Sequence, residues 1–432
     1  MKTIHVGVVG FGTVGSGVVK ILLEEHDRIA ERTNVDVRLL HVCDLDLARD
    51  RGVAVPKGLL TDNLRKVLDD KRVSVVVELI GGIDAAKKVI LDALARGKHV
   101  VTANKALLAT HGTQLFEAAA ANGVTISFEA SCAGGIPIIL ALREGFVANR
   151  ILSIMGIVNG TCNYILTRMA HDRTSYSDAL ASAQAQGYAE TPPTLDVSGL
   201  DSAYKLAILA KTAFGVDFDF DEITYEGIDQ VSLQDLEYAA ELGYVLKLLA
   251  IAKRSDHDLE LRVHPTLIDR EHPLASVSGV FNAVALEGHA VGEALLYGRG
   301  AGQMPTASAV CADILDVALG RAKLSFDNLT LYPGKGKRIR VRPIGETVTR
   351  YYFRFTVLDR PGVLAQIAGI LGKNEISIVS VIQKEAGAST VPLVIMTHAA
   401  KEARMRAALG AIEKLEVVRD KTVMIRVEKG EA

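Results

Sequence analysis

The sequence predicts an α/β protein with three parts: a Rossmann-type dinucleotide-binding domain, an α+β substrate and dimerisation domain, and a ferredoxin-like βαββαβ domain. Three observations predict this fold class. A glycine-rich turn, Gly10–Gly15, joins an apolar strand pattern to a helical one. Strand and helix patterns then alternate as far as Glu129. From Tyr351 onward the patterns follow the order strand, helix, strand, strand, helix, strand.

Composition bounds the class of protein. The chain has 432 residues, of which 49% are hydrophobic and 23% charged, which is the mix of a globular protein with about two to four domains. Its net charge of -2 argues against nucleic acid or an anionic membrane as the main partner. The 4 cysteines form no CxxC pair, as expected in a reducing compartment. We see no signal peptide and no apolar run that could span a bilayer, and we expect a cytoplasmic protein.

The first strand, residues 4–9, leads directly into the glycine turn. Gly10 permits the tight turn, Gly12 allows the backbone to approach a pyrophosphate, and Gly15 allows the helix to pack closely on the strand. The N-terminus of the following helix would face the phosphates. In this strand–turn–helix context the motif predicts dinucleotide binding.

The second strand, Asp36–Asp44, follows a polar insert and ends in a carboxylate. Asp44 is the candidate for the ribose hydroxyls, and an acid here favours NAD. Arg49 and Lys57 lie downstream and could reach the 2′-phosphate of NADP, so the sequence leaves the cofactor preference open. A simple turn residue at the strand end is the alternative for Asp44.

The next elements are predicted strands over 73–80, 98–102 and 124–129, separated by helices over 85–96 and 106–121. Lys105 follows the strand that ends at Thr102. Because open α/β sheets bind ligands at the carboxyl ends of their strands, Lys105 is well placed for a site, unless it is only a surface residue at a helix start.

Small residues follow, from Glu129 to Pro137, and they leave backbone carbonyls that suit a hard monovalent cation. Cys132 in this stretch is a possible nucleophile, but the neighbouring sequence offers no His or cation to activate a thiolate. Alternation over Ile151–Val158 predicts a further strand. Asn159 and Gly160 then form a turn that begins a helix and presents backbone donors.

The stretch from Gly187 to Leu206 carries the densest set of candidate catalytic groups. Gly187 ends a predicted helix over 177–186. Asp201 and Lys205 are spaced i,i+4 on the next helix, predicted over 202–214, so they share a face. Glu190 and Asp196 lie in the loop before it and could converge on the same point. An ordinary surface ion pair is the alternative.

The remaining middle segment is predicted to form strands at 223–231 and 258–268 around a helix at 233–253, and further strands near 277–286. Gly298–Ala309 then introduces a helix that runs through Leu319 and packs back on the first domain. Its glycine-rich entry could lie against the nicotinamide or the phosphates, or be a plain loop. The predicted domains are 1–135 together with 300–345 for the dinucleotide, 136–299 for substrate and dimerisation, and 350–432 at the C-terminus.

At this point the chain resembles the long bacterial homoserine dehydrogenases, which reduce L-aspartate 4-semialdehyde to L-homoserine with NAD(P)H. The motifs that carry the resemblance are Gly10–Gly15, Thr102–Lys105, Glu129–Pro137, Asn159–Tyr164, Gly187–Lys205 and Gly298–Ala309. They span about three quarters of the chain in the order of the family. Arg299, Cys162 and Cys43 depart from the residues frequent at those positions, and Cys43 puts a preference for NADP in doubt.

The resemblance also implies roles for individual residues. Lys205 would be the proton donor and Lys105 its partner at the cofactor and substrate, while Glu190 and Asp201, with Asp196 nearby, would bind the substrate. The carbonyls of Glu129, Cys132, Gly134 and Ile136 match a sodium site. The implied cofactor contacts are Gly10, Phe11, Gly12, Thr13, Val14, Gly15, Asp44, Lys105, Gly187, Glu190 and Gly302.

The C-terminal unit resembles an ACT domain, a small amino-acid-sensing module. Ligands of such modules lie near the turn Asp359–Gly362 and the Asn374 region. The resemblance implies a homodimer or homotetramer and feedback by L-threonine, a later product of homoserine in threonine, methionine and isoleucine biosynthesis. A module kept only for assembly is the alternative. The basic stretch Leu331–Arg342 is interpreted as a linker or a solvated strand, or as a phosphate site.

Two other functions stay open on the sequence. The first is a different Rossmann dehydrogenase of an amino-acid semialdehyde, such as a phosphorylating enzyme that uses Cys132. The second is a non-catalytic NAD-binding sensor with an ACT tail. The set Glu190, Asp201 and Lys205 argues against the sensor.

Overall fold

A computed structural model describes residues 1–330, 332, 334–384 and 389–428. The chain divides into two compact units. Unit 1 comprises Met1–Ile154, Tyr204–Asp221 and Asn282–Ile339. Unit 2 comprises Met155–Ala203, Glu222–Phe281 and the described residues from Arg340 onward.

The first part of the chain forms the nucleotide-binding type of sheet. Its elements are, in order, β1 (Lys2–Val9), α1 (Thr13–Glu24), α2 (His26–Thr33), β2 (Val35–Cys43), β3 (Leu60–Thr61), α3 (Leu64–Leu68), β4 (Val75–Glu78), α4 (Asp84–Leu94), β5 (His99–Thr102), α5 (Lys105–Ala121), β6 (Ile126–Ser127), α6 (Ile138–Leu140) and β7 (Ile151–Ile157). Strands β1 to β6 form a parallel sheet of order β3-β2-β1-β4-β5-β6. This is the Rossmann order, with the crossing point between β1 and β4. The fold class predicted for this region is therefore confirmed.

Continuous runs of β-branched residues explain why these strands are central. Val6, Val8 and Val75–Val77 are fully buried, as expected for a parallel sheet covered on both faces. The polar insert before β2 is the helix α2, which ends where Asn34 adopts a left-handed conformation at φ 56°. The insert therefore adds a surface helix between α1 and β2 and leaves the sheet order unchanged.

The middle of the chain contains α7 (Gly160–Asp172), α8 (Tyr176–Ala185), α9 (Thr194–Val197), α10 (Leu200–Phe214), β8 (Val216–Asp217), β9 (Thr224–Tyr225), α11 (Leu233–Glu241), β10 (Tyr244–Arg254), β11 (Asp258–Asp269), β12 (Phe281–Gly288) and β13 (Gly292–Arg299). The predicted helix over 233–253 is wrong in its second half. α11 ends at Glu241, Gly243 turns the chain at φ 87°, and β10 pairs antiparallel with β11 along its whole length. Residues Leu246–Ala252 of β10 are buried on both faces of the strand. The sequence therefore lacks the alternation of apolar and polar residues that marks a half-buried strand. The predicted strand over 223–231 shortens to β9, and β13 was not predicted.

The last part contains α12 (Gln303–Ala318), α13 (Arg321–Asn328), β14 (Lys337–Arg338), β15 (Arg340–Val341), β16 (Val348–Leu358), α14 (Val363–Lys373), β17 (Ile378–Gln383), β18 (Thr390–Thr397), β19 (Ala400–Lys401), α15 (Glu402–Ile412) and β20 (Val423–Glu428). The basic stretch before Arg342 contains two-residue strands, and its Leu331 and Pro333 lie outside the described residues. Within unit 1, α12 crosses α1 so closely that a Cβ at Gly17 would lie 2.9 Å from Cβ of Ala307.

The C-terminal βαββαβ order is confirmed, and its strands lie in the order β20-β16-β18-β17. Its core contains buried side chains of β16 and β18 and of the two helices, including Phe353, Phe355, Ile367, Leu393 and Met405. β20 also pairs in parallel with β11, through Thr266–Ile268 and Arg426–Glu428. The C-terminal sheet thus continues into β10 and β11 of the same unit.

Candidate active site

The glycine turn has the geometry that dinucleotide binding needs. Gly10 has φ 101°, and a Cβ there would lie 2.5 Å from the carbonyl carbon of Leu79. A Cβ at Gly15 would lie 2.0 Å from the carbonyl oxygen of Gly10. A Cβ at Gly12 would meet no described atom within 4 Å, so the middle glycine faces open space at the start of α1. The turn thus leaves the N-terminus of α1, with Thr13 and Val14, accessible to a phosphate.

Asp44 follows the end of β2 and lies against this turn. Its carboxylate accepts a hydrogen bond of 2.6 Å from the backbone N–H of Phe11 and one of 3.1 Å from the Arg51 guanidinium. Arg51 is 5.0 Å above the Phe11 ring, and its own Nε has no partner among the described residues. The sequence indicates Arg49 and Lys57 in this region and not Arg51. No periodic pattern marks Arg51, because it returns to Asp44 through an irregular segment.

The loop before α12 meets the first helix of the same unit. Gly302 precedes α12 with φ 119°, and Gln303 Nε2 donates to Ser16 Oγ of α1 at 2.9 Å. A Cβ at Gly300 would lie 2.0 Å from the amide carbon of Asn282. A side-chain hydrogen bond and the close approach of the Asn282 side chain therefore fix the backbone that enters α12.

Lys105 is the first residue of α5 and follows the end of β5. Asn104 caps this helix by accepting from the N–H of Leu107, and its Nδ2 donates to the carbonyl of Gly82 at 2.6 Å. Thr102 Oγ1 donates to Glu78 Oε2 at 2.7 Å. Glu78 is fully buried at the end of β4, and burial raises its pKa above the ordinary value. These contacts fix the start of α5, with Lys105 at the carboxyl edge of the parallel sheet.

Lys205 lies on α10 in the same unit as Lys105 and is 8% exposed. Its carbonyl oxygen lies 3.8 Å from the Cys132 thiol, which donates to it. Cys132 is fully buried, an environment that does not favour a reactive thiolate. The structure therefore gives no support to Cys132 as a nucleophile.

Unit 2 brings the two predicted aspartates to the first turn of α7. Asn159 accepts from the N–H of Cys162 as the N-cap and donates from Nδ2 to Asp201 Oδ2 at 3.0 Å. The thiol of Cys162 donates to the carbonyl of Asp196 at 3.1 Å. The Asp196 carboxylate in turn accepts from the backbone N–H of Glu190 at 3.2 Å. Asp201 is buried and the Glu190 side chain is exposed. The sequence predicts that the turn at Asn159 presents backbone donors, but it does not indicate the bond from Asn159 to Asp201.

Gly187 lies two residues after α8, as predicted for a helix end, with φ 71° and an N–H that donates to the carbonyl of Gln184. In the structure it is an exposed turn residue that begins the segment carrying Glu190.

The Glu129–Ile136 segment of unit 1 is a tight turn of small residues. The Glu129 carboxylate accepts from the N–H groups of Ile139 and Leu140 at 2.9 and 2.7 Å, so it holds the start of α6. Ala133 and Gly134 are both left-handed, at φ 51° and 46°, and a Cβ at Gly134 would lie 2.6 Å from the carbonyl oxygen of Gly300. No group of three His, Cys, Asp or Glu side chains in the described ranges could hold a metal. A cation here would need carbonyl oxygens, and these suit a hard ion such as sodium.

Comparisons with known proteins decide the family. The description "Homoserine dehydrogenase, NAD binding domain" matches residues 10–129, "Homoserine dehydrogenase" matches 137–315, and "ACT domain" matches 351–417. The chain is 43% identical over 432 residues to a homoserine dehydrogenase of Neisseria gonorrhoeae, with 99% of each chain covered. It is 44% identical over 438 residues to that of Pseudomonas aeruginosa, covering 99% and 100%.

The chain belongs to the homoserine dehydrogenase family. A solved homoserine dehydrogenase of Thiobacillus denitrificans matches with a TM-score of 0.93 and 44% identity, with 99% of each chain covered. A hyperthermophilic archaeal homoserine dehydrogenase in complex with NADPH matches with a TM-score of 0.62 and 26% identity over 73% of this chain and 98% of that one. This family member is therefore an oxidoreductase with a nicotinamide cofactor, as the sequence predicted.

No helix in the described part of this family member is long and apolar enough to cross a membrane.

Proposed function

We propose that this chain reduces L-aspartate 4-semialdehyde to L-homoserine with NADH or NADPH, as a cytoplasmic enzyme of threonine, methionine and isoleucine biosynthesis. The observation that carries the proposal is α10, one continuous helix on which the buried residues Asp201 and Lys205 are spaced i,i+4. A buried acid and amine on one helical face are rare unless paired or functional. In a member of this family they match the residue types that reduction of an aldehyde requires.

A reduced nicotinamide bound at the glycine turn supplies the hydride. The protein must then stabilise and protonate the oxygen of the former carbonyl. In the proposal Lys205 donates this proton from its ammonium, which also opposes the developing negative charge. Asp201 orients Lys205, and Lys105 lies by the cofactor as its partner. These roles rest on family membership and on the positions of the three residues.

The substrate also carries an α-ammonium and an α-carboxylate. We propose that Glu190 binds the ammonium, with Asp196 supporting its loop. What supports this is the 3.2 Å hydrogen bond from the Glu190 N–H to the Asp196 carboxylate and the exposure of the Glu190 side chain. Gly187 would permit the chain to turn into this loop and so place Glu190 beside the cofactor.

The same proposal includes a sodium ion bound by the carbonyls of Glu129, Cys132, Gly134 and Ile136. It is supported by the left-handed pair Ala133 and Gly134, which turns the backbone sharply. The Glu129 carboxylate is already held by two backbone N–H groups, so only its carbonyl would serve the ion.

We further propose three functional segments with the predicted bounds, 1–135 with 300–345, 136–299 and 350–432, and a homodimer or homotetramer. Two observations support assembly. β13 carries exposed apolar side chains, with Leu295 at 43% and Tyr297 at 54%, and β17 does so with Val379 and Val381. Both are terminal strands in the order of their sheet.

Feedback by L-threonine at the turn Asp359–Gly362 and Asn374 is part of the proposal.

The decisive experiment is Lys205→Ala in the full chain. Turnover of L-homoserine with NAD or NADP should fall by about 10²–10⁴, the usual contribution of an acid–base group. NADPH binding, measured by fluorescence titration, should persist, since the glycine turn is untouched. Lys88→Ala on the exposed face of α4 is the matched control. A near-normal kcat in Lys205→Ala would exclude this lysine as the proton donor.

A further inference from the structure

Unit 2 contains a cavity that has no part in the chemistry described above. We call it the β20 cavity. It is formed by the segment 226–231, the residues 420–425 that lead into β20, and the side chains of Arg354 and Arg406. Its volume is about 440 Å³, within the range of pockets that hold small molecules. It lies on the continuous sheet that joins the C-terminal strands to β11.

Charged side chains of both signs line this cavity. The carboxylates are those of Glu226, Asp229 and Asp420, and the cations are those of Arg354, Arg406 and Lys421. Because the signs balance, the lining favours neither an anion such as a phosphate nor a simple cation. A ligand that carries one charge of each sign is the best complement.

Three of these six groups are already held in ion pairs with residues outside the lining: Arg354, Glu226 and Arg406. Arg354 donates to both oxygens of Asp235 at 2.6 and 3.1 Å. Glu226 accepts two hydrogen bonds of 2.9 Å from Arg426, which is 1% exposed.

Arg406 and Lys421 are the more accessible cations. Arg406 donates to the buried Glu402 carboxylate at 2.8 Å and has a longer contact of 3.4 Å with Glu226, while its side chain stays 50% exposed. Lys421, Asp229 and Asp420 are exposed. Asp229 accepts one hydrogen bond from Gln230 and Asp420 accepts one from the N–H of Lys421, so both exposed carboxylates keep acceptor capacity for an ammonium. The exposed part of the Arg406 guanidinium and the Lys421 ammonium can donate to a carboxylate.

Other lining atoms suit a small polar ligand with an aliphatic part. Val231, Pro265 and Met424 supply apolar surface. Thr422 is 6% exposed, and its hydroxyl has no hydrogen-bond partner among the described residues. Buried hydroxyls are normally paired, so this one indicates a site that is completed by a further polar group.

The cavity is in direct backbone contact with the segment between Asp196 and Asp201. The N–H of Ile228 donates to the carbonyl of Val197 at 3.0 Å. A Cβ at Gly227 would lie 2.2 Å from that same carbonyl oxygen, and a Cβ at Gly199 would lie 2.7 Å from the carbonyl of Glu226. Because these backbones are packed so closely, a displacement of Glu226 would require residues 197–199 to adjust.

We propose that the β20 cavity binds a small zwitterionic α-amino acid, with its carboxylate on Arg406 and Lys421 and its ammonium on Asp229 or Asp420. The ligand draws Arg406 away from Glu226 and shifts the segment that holds Asp196 and Asp201. This site is distinct from the turn Asp359–Gly362. The effect on catalysis rests on the roles proposed above for these two aspartates, whereas binding itself does not.

The test uses the full chain. Thermal shift measurements with each of the twenty protein amino acids, L-threonine included, identify a ligand, and isothermal titration gives its affinity. Arg406→Gln and Lys421→Gln should each weaken binding about tenfold or more, since each removes a charge-assisted hydrogen bond. Arg404→Gln is the matched control on the same helix, because Arg404 pairs with Glu375 and does not line the cavity. The amino alcohol and the N-acetyl form of the ligand, which each lack one charge, should not bind.

The kinetic readout is the KM for L-homoserine, which the ligand should raise about 5-fold or more in the wild type and not in Lys421→Gln. Loss of binding in Asp359→Asn but not in the two cavity variants would assign the ligand to the other site and overturn the inference. Absence of binding by every amino acid would overturn it as well. If the wild type bound an amino acid but did not oxidise L-homoserine, the proposed function would fail while the binding site remained.

Discussion

At the residue scale, the pair Asp44 and Arg51 sets the electrostatics where the cofactor ribose is expected. An unpaired carboxylate there would repel a 2′-phosphate, whereas a guanidinium would bind it. Here the two groups are hydrogen-bonded, and Arg51 also lies over the Phe11 ring of the glycine turn. The pair can therefore serve the two hydroxyls of NADH through Asp44, or the phosphate of NADPH through Arg51.

Arg51→Ala should lower kcat/KM with NADPH by about 10- to 100-fold relative to NADH, the equivalent of one hydrogen bond to a charged group. Asp44→Ala should instead lower kcat/KM with NADH relative to NADPH. Steady-state kinetics with both cofactors measure this, with Arg28→Ala on α2 as the control because that side chain is 77% exposed. An equal loss with both cofactors in Arg51→Ala would mean that the residue only supports the turn.

A second residue of interest is Lys247, an amine buried within β10. It donates to the carbonyl of Val277 and, at 3.2 Å, to Asn163 Oδ1, so it connects β10 to α7. Burial lowers the pKa of Lys247 to about 8 from the ordinary 10.5. Because the unfolded chain keeps this proton at higher pH than the native chain does, the free energy of unfolding should rise with pH between about 8 and 10.5.

The size of this rise is bounded by about 3 kcal/mol, since each pH unit corresponds to about 1.4 kcal/mol. Urea unfolding of the wild type and of Lys247→Met at about pH 7.5 and about pH 10 isolates the contribution. The free energy of unfolding of the wild type, relative to that of Lys247→Met, should be larger at the higher pH. A difference that is independent of pH would show that Lys247 is not deprotonated in the native state.

At the element scale, the helices and strands that the sequence predicts correctly are those whose sequence signals lie within the element itself. The glycine turn, α1, α5 and the ends of α8 were predictable because caps, glycines and apolar periods lie within each element. β10 was mistaken for helix because Leu246–Ala252 is buried on every side. Arg51 was missed because only a tertiary contact brings it to Asp44.

The contact between segments 226–228 and 197–199 is the element-scale feature on which the substrate loop depends. Gly227→Ala introduces a methyl group where backbone atoms of Val197 and Ser198 lie at 2.2 and 2.8 Å, so the loop must move. We expect a loss of about tenfold or more in kcat/KM for L-homoserine, with the affinity for NADPH unchanged.

Gly410→Ala on α15 is the matched control, because a Cβ there meets no described atom within 4 Å and alanine favours a helix. Wild-type kinetics in Gly227→Ala would contradict the proposed role of residues 197–199.

At the scale of the whole molecule, the C-terminal strands belong to the sheet of unit 2. The predicted order of elements was right, but the pairing of β20 with β11 joins residues far apart in the sequence and leaves no local signal. Arg262 of β11 is 1% exposed and contacts both Glu260 and Glu428 of β20. Removal of the C-terminal strands would therefore leave the buried Arg262 guanidinium with Glu260 and His264 but without its second carboxylate, and would open the edge of β11 that pairs with β20.

This continuity predicts that the ACT-like segment cannot be removed without harm. A protein that ends at Arg342 should unfold at a lower temperature and aggregate through the edge of β11, instead of becoming an active enzyme without feedback. In the full chain, Glu428→Gln should lower the free energy of unfolding by about 3–5 kcal/mol, because it leaves Arg262 incompletely paired, whereas the double change Arg262→Met and Glu428→Met should recover most of the loss.

Denaturant unfolding of these variants measures the effect, with the exposed Glu416→Gln as the control. The single changes Arg262→Met and Glu428→Met are measured beside the double one. A shortened protein that melts like the full chain, together with additive effects of the two single changes, would mean that β11 and β20 are energetically independent.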